Sequence, residues 1–296
     1  MTWNGEELDI EAYLARVGHE GEPKPDFDTL RALHRAHVAS IPFENLEMML
    51  GRPVPLDLAA LQDKLVRQRR GGYCYEQNLL FAAALERIGF AVTGLGARVR
   101  AGASSRRAVT HMLLKVEADG RQWHCDVGFG AEGLLEPIPL ERDQGEGQGE
   151  GHDEGGVLQD VRQGVRQDVR QGEWRFGIVQ EADGARVLRT EHADGWFDLY
   201  EYTLEERLPV DYVVMNHYTS THPQSSFIRR PVVQRAAPDV RRTLVGEHLT
   251  VTRPDGTSDE RDVTAQELAE VLVREFGIEL NAEDRAELIR AHYAGA

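Results

Sequence analysis

The sequence predicts an α+β protein, and three observations carry that prediction. Apolar residues recur at helical spacing through the first ninety positions. From about Ala91 the period changes to two, with several short strands in succession, the pattern of an antiparallel sheet or small barrel. From about Leu208 the pattern is mixed, and two helices close the chain. These changes divide the chain into residues 1–90, 91–207 and 208–296, and 296 residues suffice to bury a substantial core.

The first predicted helix covers 9–17 and stops before Gly18, a residue suited to a left-handed cap. Asp28 is placed to cap the second, whose Leu30, Leu33, Val38 and Ile41 run up to Pro42. A third spans about 56–69, with Asp57 near its start and a basic end, Arg67, Arg69 and Arg70, that suits the helix dipole. A fourth begins around Cys74 and ends at Gly89; it is apolar on nearly all sides and should be buried.

Strands follow at 92–99, 110–117, 122–127, 174–180 and 186–202, separated by Gly or Asp-Gly turns. More strand is expected at 249–252, before the Pro254-Asp255-Gly256 turn, and the closing helices at 265–276 and 282–292. The stretch 141–173 differs from its surroundings. A glycine–glutamate run precedes a tandem eight-residue repeat at 156–163 and 164–171, which reads as a low-complexity insertion forming a surface loop. It holds nine acidic and four basic side chains, the wrong sign for cradling phosphate.

Composition excludes several functions. An apolar fraction of 41% with 28% charged residues fits a globular chain. A net charge of −16 argues against nucleic acid as a partner. Two cysteines build neither a disulfide framework nor a four-thiolate zinc site. No apolar run is long enough to span a membrane, and the acidic start lacks a secretory pattern, so a cytoplasmic protein is expected.

The most informative stretch is Arg70-Gly71-Gly72-Tyr73-Cys74-Tyr75-Glu76-Gln77-Asn78. Two glycines allow a tight turn and a close approach, and Cys74 falls in the first turn of a helix, where free N–H groups and the dipole favour a thiolate. A base follows from register. Asp119-Gly120 between two alternating segments is a two-residue hairpin signal, and it pairs Ala118 with Arg121, Val116 with Trp123 and Leu114 with Cys125. That face is apolar and makes Cys125 a core residue. On the other face His111 and Asp126 become diagonal neighbours, with Gly128 leaving room beside the imidazole. An aspartate that accepts from one ring nitrogen orients the imidazole and stabilises its charged form, leaving it able to take the proton of Cys74. A buried His–Asp pair tying two strands together is the plainer alternative; the presence of Cys74 favours a triad.

These motifs resemble the arylamine N-acetyltransferases across most of the chain. Ile41-Pro42-Phe43-Glu44-Asn45-Leu46, the cysteine segment above, Asp126-Val127-Gly128-Phe129-Gly130, and Ser220-Thr221-His222-Pro223-Gln224-Ser225-Ser226-Phe227 stand in the family's order. The resemblance implies Cys74, His111 and Asp126 as the catalytic triad. It also implies an N-terminal helical domain, a central antiparallel β-barrel and a C-terminal α/β lid around a cysteine-protease-like core. It implies ping-pong transfer from acetyl-CoA, a co-substrate rather than a resident cofactor, to a small aromatic amine or hydrazine. Thr110, Gly128, Phe129 and Gly130 are then expected to touch CoA, and Phe43, Phe129 and Phe227 to line the acceptor pocket. Because CoA is a polyanion, the cleft of this acidic chain should be locally less negative than the whole.

Other signals carry less. Gly128-Phe129-Gly130-Ala131-Glu132-Gly133 fits a dinucleotide-binding glycine pattern, but Pro137 and Pro139 argue against the helix such a fold requires next. His34 and His37 lie three apart without a third ligand, so a surface or packing role is expected and no metal. Cys–His–Asp order also occurs in transglutaminase-like thiol acyltransferases and hydrolases, and in amide synthases that share the acetyltransferase fold.

Overall fold

The computed structural model describes residues 2–103, 105–140 and 166–293. The N-terminal part holds helices α1 (Ile10–Val17) and α2 (Phe27–Ser40), the short strand β1 (Phe43–Glu44), and helices α3 (Leu46–Met49), α4 (Leu58–Leu61) and α5 (Cys74–Ile88). Helix α4 continues as a wide π turn through Gln62–Arg67. Asp57 caps α4 from its side chain to Ala60 N, and α5 ends at Gly89 with φ 109°, as the sequence predicts. The cap of α2 differs: Asp26, extended at φ −117° and ψ 167°, accepts from Thr29 N. Asp28 instead lies inside the first turn and pairs with Arg31. The helix therefore begins two residues earlier, at Phe27.

Eight antiparallel strands form the second part: β2 (Ala91–Val99), β3 (His111–Ala118), β4 (Arg121–Cys125), β5 (Ile138–Pro139), β6 (Arg166–Gln171), β7 (Trp174–Gln180), β8 (Arg186–His192) and β9 (Gly195–Glu206). Their order is β5-β4-β3-β2-β9-β8-β7-β6. The sheet curls into a nearly closed barrel whose edges meet through a side chain. Buried Gln171 accepts from Leu135 N at 2.8 Å and Glu136 N at 3.0 Å, and donates to Glu136 O at 2.8 Å. This corrects the loop reading at the end of 141–173. Residues 166–171, most of the second repeat copy, are strand, because alternation in Asp168-Val169-Arg170-Gln171 suits a sheet edge and Gly172, with φ 61°, turns the chain into β7. Residues 141–165, with the first copy, lie outside the described residues. The span 186–202 is a hairpin of two strands turning at Ala193 and Asp194.

The β3–β4 hairpin has the predicted register, with Leu114 opposite Cys125, Val116 opposite Trp123 and Ala118 opposite Arg121. Asp119 and Gly120 both take positive φ, 51° and 72°, as a type I′ turn requires. Met112, Leu114, Val116 and Cys125 pack into the large core that includes α5, whereas Leu113 points into the barrel core with Leu95, Phe176, Leu188 and Tyr200. His111, in phase with Leu113, belongs to the barrel side of its strand.

The mixed C-terminal segment resolves into α6 (Pro209–Thr221), strands β10 (Val232–Ala236), β11 (Arg241–Val245), β12 (His248–Thr252) and β13 (Ser258–Asp262), and helices α7 (Leu268–Val271) and α8 (Ala282–His292). The sheet order is β1-β10-β11-β12-β13, so a strand from the N-terminal part forms one edge of the C-terminal sheet. Helix α6 escapes periodicity because its buried residues are Tyr212, Asn216 and Thr219, while Val210, Val213 and Val214 face solvent.

Candidate active site

The site is assembled where α5 starts beneath the barrel. Gly71 and Gly72 bring the chain against the segment before β1: Gly72 N donates to Pro42 O at 3.3 Å and Glu44 N donates to Gly72 O at 3.1 Å. A Cβ on Gly71 would sit 2.2 Å from Pro42 O, so only glycine fits. Beneath this turn lies a buried ion pair. Arg70 forks onto Glu44 at 2.8 and 2.9 Å, and Gly71 N donates to the same carboxylate. Burial alone would push Glu44 up, but the Arg70 and Lys64 charges hold its carboxyl below the ordinary value. Arg70 thus serves this pair, not the dipole of the preceding helix. Helix α5 is fixed by Glu76, which accepts from Tyr73 N at 3.0 Å and from Lys64 Nζ at 2.7 Å.

Cys74 is the first residue of α5 and is buried, with Sγ 3.9 Å from Thr110 O. Its thiol lies close enough to His111 to help hold that imidazole charged. His111 Nε2 lies 2.6 Å from Asp126 Oδ2, which leaves Nδ1 for the sulfur. The structure therefore brings Cys74, His111 and Asp126 together. Burial pulls the His111 imidazolium down, but Asp126 and then Cys74 outweigh it and lift His111 well above the ordinary histidine value. Burial pushes Asp126 up, and His111, Asn78 and Gly128 N–H outweigh that to keep it ionised.

The carboxylate is fully coordinated. Oδ2 also accepts from Tyr200 Oη at 2.8 Å, while Oδ1 accepts from Asn78 Nδ2 at 3.1 Å and Gly128 N at 3.0 Å. Charge-assisted bonds of this kind are what allow a buried charge to persist. Asn78 donates to Met112 O and accepts from Val127 N, tying α5 to β3 and to the segment that follows β4. His34, expected at the surface or in packing, is fully buried; its Nε2 accepts from Asp126 N at 3.2 Å and its Nδ1 faces Leu135 O at 3.0 Å. Burial holds its imidazole neutral, down to about 4. His37, also fully buried, meets Tyr13 Oη at 2.9 Å. Asn78 was findable as the polar residue one turn after Cys74 on an apolar helix. Tyr200 and His34 gave no local signal.

The glycine beside the triad has a different reason from the expected one. A Cβ on Gly128 would lie 2.7 Å from Cys74 Cα and 2.9 Å from Cys74 O, so the backbone of α5 takes the space, not the imidazole. Gly130 has φ 99°, and a Cβ there would meet Gln234 Oε1 at 2.0 Å. Phe129 sets its ring edge-on to His111 at 5.2 Å. Phe43 is buried and packs on Phe227 at 5.8 Å. Phe227 and Thr110 line a cleft of about 490 Å³ with Tyr218, Thr219 and Ser225; Phe43 lines a separate, much smaller one. Among the described residues the wall of the larger cleft carries Arg107 and no carboxylate.

Comparison with known proteins extends the picture. A family model described as N-acetyltransferase matches residues 26–154 and 151–285. The arylamine N-acetyltransferase of Mycolicibacterium smegmatis is 38% identical over 290 residues, covering 92% of this chain and 93% of that one. The crystal structure of the Nocardia farcinica arylamine N-acetyltransferase superposes with a TM-score of 0.85 at 46% identity, covering 97% and 95% of the two chains. That of the Mycobacterium marinum enzyme in complex with CoA gives 0.80 at 32% identity, covering 97% and 99%.

Proposed function

The chain belongs to the arylamine N-acetyltransferase family, and from that premise we propose that it moves an acetyl group from acetyl-CoA to an arylamine or arylhydrazine through an acetyl-Cys74 thioester. The observation that carries this reading is the contact series Cys74–His111–Asp126, with the thiol at a helix start. In the first half-reaction the Cys74 sulfur attacks the thioester carbonyl carbon. Amide N–H groups at the start of α5 face the oxyanion, where helix N-termini favour negative charge. The intermediate collapses with loss of the CoA thiolate, which takes the His111 proton. In the second half the amine nitrogen attacks acetyl-Cys74, neutral His111 takes the amine proton, and the Cys74 thiolate leaves. Thioester exchange is nearly balanced, whereas the amide product is more stable, so the second step draws the cycle forward.

The 490 Å³ cleft beside Thr110 is the entry for both substrates in this reading, and the absence of carboxylates from its described wall suits a polyanionic donor. Thr110, Gly128, Phe129 and Gly130 contact CoA; Phe43, Phe129 and Phe227 shape the aromatic acceptor side. Intact mass after incubation with acetyl-CoA alone tests the proposal. One added acetyl group is expected in the parent and in Cys125→Ala, and none in Cys74→Ala. A folded parent that gains no mass overturns it. Acylation of Cys74 by a CoA thioester rather than by a peptide or glutamine amide separates this reading from the transglutaminase-like one.

A further inference from the structure

Behind Asp126 the barrel holds a second imidazole that this chemistry does not use. His124, two residues before Asp126 on β4, is fully buried. Both of its ring nitrogens meet tyrosine hydroxyls: Nδ1 lies 2.7 Å from Tyr202 Oη and Nε2 lies 2.7 Å from Tyr200 Oη. Tyr200 Oη is in turn 2.8 Å from Asp126 Oδ2, the oxygen that also takes the His111 bond. Tyr200 and Tyr202 alternate on β9, and residues two apart on a strand share a face, so one strand presents both hydroxyls to His124.

The protons of this series are determined by counting. Tyr200 has one hydroxyl hydrogen, and an ionised carboxylate only accepts. That hydrogen must therefore bridge Tyr200 to Asp126, which leaves the Tyr200 oxygen free only to accept. His124 must then carry its hydrogen on Nε2, and its Nδ1 must accept from Tyr202. The opposite tautomer would draw the Tyr200 hydrogen away and set two lone-pair oxygens 2.8 Å apart with nothing between them. Burial keeps the ring neutral, down to about 3, as this arrangement requires.

We propose that His124 is a positioning residue for the triad: its Nε2–H holds Tyr200 as a donor to Asp126, and Asp126 so held orients His111. The donor direction runs one way, from Tyr202 through His124 and Tyr200 to Asp126, so each bond polarises the next. An apolar ring would fill the same volume but would free the Tyr200 hydroxyl to turn from the carboxylate. The proposal rests on the triad reading, but its test uses no acyl donor, so its failure is distinguishable from a failure of acetyl transfer.

Imidazole nitrogen NMR of the unmodified protein is the first arm. His124 is expected as the neutral Nε2–H tautomer between pH 8 and 5; the Nδ1–H tautomer or a charged ring overturns the proposal. The second arm follows the His111 titration in the parent, His124→Phe, Tyr200→Phe and the double variant. His124→Phe is expected to move that titration by roughly half a pH unit in the parent background and not at all in the Tyr200→Phe background. His124→Gln, which places an amide N–H near the lost Nε2–H, restores the parent titration. Equal shifts in both backgrounds, or none in either, overturn the proposal. The first arm needs no variant and stands if a substitution prevents folding.

Discussion

Gly128 rests directly on the backbone of Cys74, so the segment bearing the aspartate and the helix bearing the thiol meet with no side chain between them. A Cβ at Gly128 would stand 2.7 Å from Cys74 Cα and 2.8 Å from Asn78 Nδ2. Backbone cannot yield as a flexible side chain does. Gly128→Ala should therefore cost about 1–3 kcal/mol of stability and displace Cys74 from His111. Urea unfolding and the rate of Cys74 alkylation by iodoacetamide measure the two effects; parental values for both would contradict the packing argument.

Asp126→Asn keeps the size of the side chain and removes the charge that outweighs burial at His111. The imidazolium should become less stable, and acylation of Cys74 by acetyl-CoA should slow by about 10²–10⁴-fold. Single-turnover mass spectrometry reads this step, and a loss below tenfold would remove Asp126 from the mechanism.

The Arg70–Glu44 pair supports the glycine turn from below. Arg70→Met leaves the Glu44 carboxylate buried without its fork and should destabilise by about 3–5 kcal/mol. Adding Glu44→Gln removes the stranded charge, so the double variant should regain much of that loss. Unfolding free energies of the four proteins form the cycle, and a double variant no more stable than Arg70→Met would refute a charge-based role.

Acid should unfold the protein through histidines outside the triad. Burial lowers His34 to about 4, and His37 and His124 to about 3. Between pH 6.5 and about 4 the unfolded chain binds protons that the folded chain refuses, so stability falls as pH falls, by about 1.4 kcal/mol per pH unit for each histidine. His111 acts in the opposite sense. Its value is raised, so its contribution is complete below pH 6.5 and is lost as pH rises toward alkaline values. Replacing His37 by Phe should flatten the acid slope by one proton's worth, and an unchanged slope of unfolding free energy against pH would exclude it as a source.

The reach of the sequence is clearest at the β3–β4 hairpin. Asp119 and Gly120 both adopt the left-handed backbone that their turn demands, and that local choice fixes every pairing back to Leu114 and Cys125. Once the turn is set, the two-residue period leaves His111 and Asp126 on one face. The start of α5 is equally local, since the glycines and the Tyr73–Glu76 contact lie within a few residues of Cys74. Helix α6 was hidden for an equally plain reason: its buried stripe of Tyr212, Asn216 and Thr219 is largely polar, while valines cover its exposed side.

Local residues set the turn, the register, the helix start and so the three side chains that converge. Long-range packing selects what surrounds Asp126: Asn78 from α5, the His34 ring against its backbone from α2, and Tyr200 from β9. The division follows from the range of the forces. Turn dihedrals and strand alternation act over a few residues and are written in them. Which tyrosine or histidine meets the carboxylate depends on how far the barrel curls and where the helices seat, and burial of the whole core sets both.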